Sequence, residues 1–264
     1  LNVAHGSFYA WGAYLASISI IYLGENEYNS FLYYFSIFLA AIIVGVIFGY
    51  IIEKFILRKM YGEDIHLIVL ATFGIFWILE DLILIVFGVD PLMPYYPAME
   101  LGGLEVAGVY QGVYSLTLAG LATFVAFVCW YFLNKTKWGK LLQSVIFDRE
   151  VSVSMGIDVT KVYLITFIIG GMLGALGGAY VAPTISVSPG FAIDVVVMSF
   201  AVVVIGGMGS VPGALIGSLI VGMLRAFAVH QAPVLELFII YAVMAIVLIL
   251  KPQGLFAPPK PRKI

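Results

Sequence analysis

Charge is what this sequence has least of. Asp, Glu, Lys and Arg make up 11% of its 264 residues, against about a quarter in an ordinary soluble domain, while 62% are hydrophobic. Cysteine is nearly absent. Cys129 stands alone inside an apolar run, so neither an internal disulfide nor a cysteine metal site is available. The three histidines, His5, His66 and His230, sit near segment ends without ligand spacing, and no metal site is expected. A net charge of −2 gives no electrostatic footprint for nucleic acid. The chain opens Leu-Asn-Val-Ala-His-Gly, with neither methionine nor a basic leader, and an upstream segment is expected before it.

What is present is apolar length. Crossing a hydrocarbon core of about 30 Å takes about 20 residues of helix. Residues 31–52, 106–133, 162–193 and 195–224 contain no Asp, Glu, Lys or Arg. Backbone groups in lipid must pair within their own segment, and the alternation of a membrane barrel is missing. The expected fold is therefore all-α, a polytopic transmembrane helix bundle of about eight hydrophobic segments: 6–23, 31–52, 67–87, 112–133, 161–182, 194–206, 213–229 and 234–250. One transmembrane domain over 1–250 and a proline-rich tail over 251–264 complete the organisation. No stretch between spans is long enough for a soluble core of its own.

The basic residues fall in alternate connections. Lys54, Arg58 and Lys59 follow the second span. Lys135, Lys137, Lys140, Arg149 and Lys161 surround the 134–160 loop, and Lys251, Lys260, Arg262 and Lys263 lie in the tail. The opposite loops hold Glu25, Glu27, Asp90, Glu100 and Glu105 and no Lys or Arg. By the positive-inside rule the 134–160 loop and the C-terminus are cytoplasmic.

Two connections carry candidate chemistry. In the 134–160 loop, Leu142, Val145, Ile146 and Arg149 have helical spacing, which predicts one short amphipathic helix ended by Gly156 and presenting Asp148, Arg149 and Glu150 to the cytosol. Docking of a soluble partner and simple coverage of lipid are both open on spacing alone. The second is Gly206-Gly207-Met208-Gly209-Ser210, after an apolar stretch of about 18 Å that barely crosses the core. It reads either as a cytoplasmic turn packed through small residues or as an unwound substrate-binding backbone. It lacks the Gly-Lys-Ser/Thr of a phosphate loop. Within the spans, Glu80, Asp81 and Arg225 are charges that lipid would penalise, and an ion pair between Arg225 and one of the carboxylates is expected, with a proton relay as the functional alternative. No nucleophile, base and orienter assemble, so a membrane enzyme is disfavoured.

Several stretches carry a resemblance: Asn2-Val-Ala-His-Gly-Ser-Phe-Tyr-Ala-Trp-Gly-Ala-Tyr14, the loop from Asp148 to Asp158, Val187-Ser-Pro-Gly190, the run from Ala201 to Gly217 and the closing Lys251-Pro-Gln-Gly-Leu-Phe256. Together they resemble the inner-membrane permease of bacterial branched-chain amino-acid ABC importers, in order and over nearly the whole chain. The resemblance implies one of two permease subunits, identical or homologous, working with two ATP-binding subunits and an extracytoplasmic solute-binding protein. ATP and magnesium would sit on the partners, with no cofactor in this chain. It also implies a multi-pass protein of the bacterial cytoplasmic membrane, a coupling role for Asp148, Arg149, Glu150 and Gly156, and a translocation path or helix break near Asn2, His5, Gly6, Gly206, Gly207, Gly209 and Ser210. Related permeases carry urea, short amides or aromatic acids. A proton-driven secondary carrier is the alternative function, with Glu80 or Asp81 as its titrating group.

Overall fold

Amides in hydrocarbon find partners only within their own helix, and the apolar segments fold accordingly. The computed structural model describes residues 2–106 and 108–256; Lys260, Arg262 and Lys263 of the tail lie outside the described residues. In chain order the elements are α1 (His5–Glu25), α2 (Phe31–Ile52), a π-helical turn (Glu53–Leu57), α3 (Arg58–Met60), α4 (Ile65–Phe87), α5 (Tyr96–Leu101) and the hairpin β1 (Gly103–Val106) with β2 (Val109–Gly112). There follow α6 (Val113–Lys135), α7 (Lys137–Phe147), α8 (Arg149–Ser154), α9 (Val159–Val181), α10 (Phe191–Gly206), α11 (Val211–Gln231) and α12 (Glu236–Leu250). All eight expected segments are helices. The protein is an all-α polytopic membrane bundle.

Contacts gather the described residues into two compact units, one from those up to 122 together with 148–193, the other from 123–147 together with those from 194 on. Among the described residues, five helices are long and apolar enough to cross a membrane, while α10 and the apolar part of α12 are shorter. Helix α1 is long but less hydrophobic, and its surroundings explain this. It is the centre of the first unit, with Gly6, Ser7, Ala10, Gly12, Ala13, Ala16 and Ser17 buried against protein rather than lipid. A helix enclosed by other helices gains from small side chains that let backbones approach.

That close approach forms the core of the first unit. A side chain on Gly12 would overlap the Ala175 backbone of α9, one on Gly178 the Tyr9 backbone, and one on Gly45 the Met172 residue. Gly45 and Gly49 of α2 stand four apart on one face and seat Met172 and Ile168 of α9. Helices α1, α2 and α9 are thereby locked in direct backbone contact. Helix α4 joins by a ladder of hydrogen bonds at four-residue spacing. Val3 N–H donates to Thr72 Oγ1 at 3.3 Å, Ser7 Oγ to the Phe76 carbonyl at 3.0 Å and Trp11 Nε1–H to the Leu79 carbonyl at 3.0 Å. Such bonds contribute on average about 0.6 kcal/mol each inside a membrane.

The connections of this unit sort by charge. At the acidic end, Leu92 and Val187 form a backbone bridge between two of the Lys- and Arg-free loops, and Tyr96 of α5 packs beside Gly24 at the end of α1. The 88–111 connection holds α5 and the hairpin, whose register pairs Gly103 with Gly112. At the basic end, the turn after α3 meets the start of α9, Tyr61 lying edge-on to Tyr163 with ring centroids 4.8 Å apart.

In the second unit, α7 folds back on α6. Thr136 Oγ1 and the Phe132 and Leu133 carbonyls crowd Gly139, and Gln143 Nε2–H donates to the Leu133 carbonyl at 2.9 Å. Helices α10 and α11 meet through Gly206 and Gly213, each of which would place a Cβ on the other's carbonyl.

Candidate functional site

The 134–160 loop is not one helix. It breaks at Asp148, whose extended backbone (φ −150°, ψ 106°) ends α7 and whose carboxylate accepts from Val151 N–H at 3.0 Å, capping α8. Arg149 therefore belongs to α8 and not to the Leu142–Val145–Ile146 face. Of that apolar face Val145 is buried, whereas Ile146 is 71% exposed. The helical spacing ran through a cap that it could not register.

Helix α8 is short but held at both ends. Ser152 is buried and its hydroxyl donates to the Asp148 carbonyl at 2.7 Å. At the other end Gly156 N–H donates to Val153 O at 2.9 Å and Ile157 N–H to Ser152 O at 3.1 Å, the paired bonds of a Schellman stop. Gly156 has φ 79°, the left-handed value that this stop needs. Two residues on, Asp158 accepts from Lys161 N–H at 3.1 Å and caps α9. The hydrogen bond and ion pair from Lys161 hold the Asp158 carboxyl below the usual carboxylate range. Helix α8 is thus joined to α9 through a defined turn. Asp148, Arg149 and Glu150 are exposed. So are Val151, Val153 and Met155, at 53%, 56% and 75%, apolar surface on a helix too short to span lipid. The arrangement offers a small, stiff knob with charged and apolar contacts.

The break at Gly206–Ser210 has a different character. Gly207 and Gly209 take φ 104° and 82°, and Ser210 caps α11 by accepting from Gly213 N–H at 3.0 Å. Two carbonyls at the end of α10 are taken by the C-terminal segment: Leu255 N–H donates to Ile205 O at 3.0 Å and Phe256 N–H to Gly206 O at 2.9 Å. Gly254 packs on Gly207. These backbone groups already have partners within the chain, which favours the turn packed through small residues.

Asn2 and His5 do come together. Asn2 Oδ1 accepts from Ala4 N–H at 3.0 Å at the start of α1, and the His5 ring lies between Phe8 and Phe167. Both line a cavity of about 390 Å³ bordered also by Tyr61, Thr72, Tyr163 and Phe167. Gly6 is buried beside it in α1.

The expected ion pair across the membrane segments is corrected. Arg225 Nε–H binds Glu236 Oε1 at 2.7 Å, a neighbour eleven positions on across the Pro233 turn, rather than Glu80 or Asp81. Glu80 is 6% exposed, and its Oε1 has no hydrogen-bond partner among the described residues. Asp81, next along α4, is exposed. Sequence reasoning missed a further polar cluster. Glu53, wholly buried, binds Arg58 Nη2 at 2.8 Å and accepts from the Tyr61 hydroxyl at 3.3 Å.

Apolar helices packed through glycine, five of them long enough among the described residues to cross a membrane, define a multi-pass membrane protein. The family profile described as "Branched-chain amino acid transport system / permease component" matches residues 1–248, and the chain belongs to that family. It is 25% identical over 272 residues to the high-affinity branched-chain amino acid transport system permease protein BraD of Pseudomonas aeruginosa, covering 100% of this chain and 88% of that one. It is 24% identical to LivH, the corresponding permease protein of Salmonella typhimurium, with the same coverage. A shorter likeness, 36% over 113 residues, links 39% of the chain to 31% of the fructose import permease protein FrcC of Rhizobium meliloti. No solved structure matches. The protein is a permease subunit and a multi-pass membrane protein.

Proposed function

We propose that this permease forms the translocation path of an ATP-driven importer of branched-chain amino acids or similar small polar solutes in the bacterial cytoplasmic membrane. It works beside a second permease subunit, identical or homologous. Two ATP-binding subunits hold ATP and magnesium on the cytoplasmic side, and an extracytoplasmic binding protein delivers solute to the acidic end. The C-terminus is cytoplasmic in this reading, which the placement of the basic residues in alternate connections supports. The observation that carries the reading is α8: an exposed helix, stopped by Gly156 and joined by the Asp158 cap to a helix in the glycine-locked core. Such an element converts closure of a docked partner into displacement of membrane helices. A carrier with its own driving force has no use for it.

A second reading, a proton-coupled carrier, draws on the buried and unpartnered Glu80 Oε1. Uptake of leucine, urea and fructose into vesicles holding constant ATP separates the two. The importer reading predicts leucine uptake that survives collapse of the proton gradient and stops when ATP is withdrawn. Loss of uptake on gradient collapse alone, and in Glu80→Gln, would instead establish the carrier.

A further inference from the structure

Helices α2 and α3 form one continuous run of 30 residues, Phe31–Met60, interrupted only in winding. In an α-helix, residues five apart point about 140° away from each other. Over Glu53–Leu57 the winding widens, and Arg58 N–H donates to the Glu53 carbonyl five positions back. The same widening sets the two side chains together. Arg58 Nη2–H donates to Glu53 Oε2 at 2.8 Å, and the Tyr61 hydroxyl reaches Glu53 Oε1 at 3.3 Å. The Glu53 side chain is 0% exposed, while Arg58 keeps 35% of its side chain open. A buried carboxylate demands these partners, so the charge and the widened turn hold each other in place.

The turn matters for where it sends Tyr61. Above it, α2 follows α9 through Gly45 and Gly49. Below it, Tyr61 meets Tyr163, five residues into α9 and just past the Asp158 cap that follows α8. Besides the glycine contacts, the path from α8 to α2 runs through Tyr163, Tyr61 and Glu53 at the basic end.

We propose that Glu53, through Arg58 and Tyr61, is a positioning residue for coupling: it fixes the register of the basic end of α2 so that displacement of α8, carried by α9, is passed to α2. The proposal rests on the importer reading. Without the cluster, the end of α2 rewinds towards regular α-helix, Tyr61 turns away from Tyr163, and the basic end of α2 below the glycine contacts no longer follows α9.

The test uses the reconstituted importer with its ATP-binding subunits and binding protein, reading solute taken up per ATP hydrolysed. Glu53→Gln keeps an acceptor and removes the charge; Tyr61→Phe keeps the ring contact and removes one hydroxyl. The expected ratio falls about tenfold in Glu53→Gln and about threefold in Tyr61→Phe, with the melting temperature of Tyr61→Phe unchanged. A purely structural cluster would lower the melting temperature and leave the ratio at its original value, and that result overturns the proposal. Should Glu53→Gln fail to assemble, the ratio in Tyr61→Phe decides alone. If the unaltered complex shows no ATP-dependent uptake, the importer reading falls and takes the proposal with it.

Discussion

Two glycines at helix ends, Gly156 after α8 and Gly206 at the close of α10, do opposite things with the same absent side chain. Around Gly156 there is open space within 4 Å, but its φ is 79°. Gly206 shows no left-handed backbone, but a Cβ there would fall on the Gly213 carbonyl. The first glycine is required by conformation and the second by contact. One ends the short helix α8; the other seals the joint between α10 and α11. The difference teaches that glycine-rich sequence near a membrane end is not by itself a binding backbone.

The sharpest way to break the comparison is to put the same side chain at both places. Gly206→Val meets backbone on the facing helix, which cannot swing aside, and is expected to destabilise by about 3 kcal/mol. Melting of the purified permease should register it as lost folded protein. Gly156→Val has room for its atoms but not for its φ, a penalty of about 1–2 kcal/mol. That variant should fold and retain its ATP-binding partner, while hydrolysis no longer rises with solute delivery. Equal melting of the two variants would erase the distinction.

A smaller effect separates the two jobs of Asp148. Its carboxylate caps α8 and also stands on the exposed knob. Asp148→Ala should lose about 1 kcal/mol, whereas Asp148→Asn retains the cap. Asp148→Lys should weaken co-purification of the ATP-binding subunit more than Asp148→Asn does. If the two purify alike, the charge plays no part in docking.

The smallest expected change concerns pH. Asp158 has a folded-state pKa below its unfolded value, so its contribution is present above the unfolded pKa, about 3.9, and is lost as pH falls through the lowered folded value. Stability at the start of α9 should be flat from pH 7 to pH 5 and decline only in more acid solution. Asp158→Asn should remove that acid-side slope, with hydrogen exchange at the first turn of α9 as the readout. A decline centred near pH 6 would assign the transition to another group.

How much of this was readable beforehand follows from what each residue announces. The eight helical segments were legible because lipid leaves little choice of residue or conformation. Gly156 as a stop was legible because glycine after an apolar periodic run has a specific use there. The break at Asp148 was not, since a cap interrupts a helix without interrupting its spacing. Arg225 was matched to distant carboxylates because charges inside spans attract attention first, whereas its partner Glu236 lies beyond a proline turn. Glu53 was hidden for a plainer reason. Beside Lys54, Arg58 and Lys59 it reads as one more charge at a membrane boundary, and only the widened turn shows that it points inward.

The central claim is that α8 is the part of this chain that a cytoplasmic ATP-binding subunit grips. Its most direct test is a single cysteine at Glu150, compared with one at Glu100 on the acidic end, each treated with a short bifunctional cross-linker in the assembled transporter. The account predicts a permease–ATPase cross-link from position 150 and none from position 100. A cross-link from position 100, or none from position 150 in a complex that hydrolyses ATP, would contradict it.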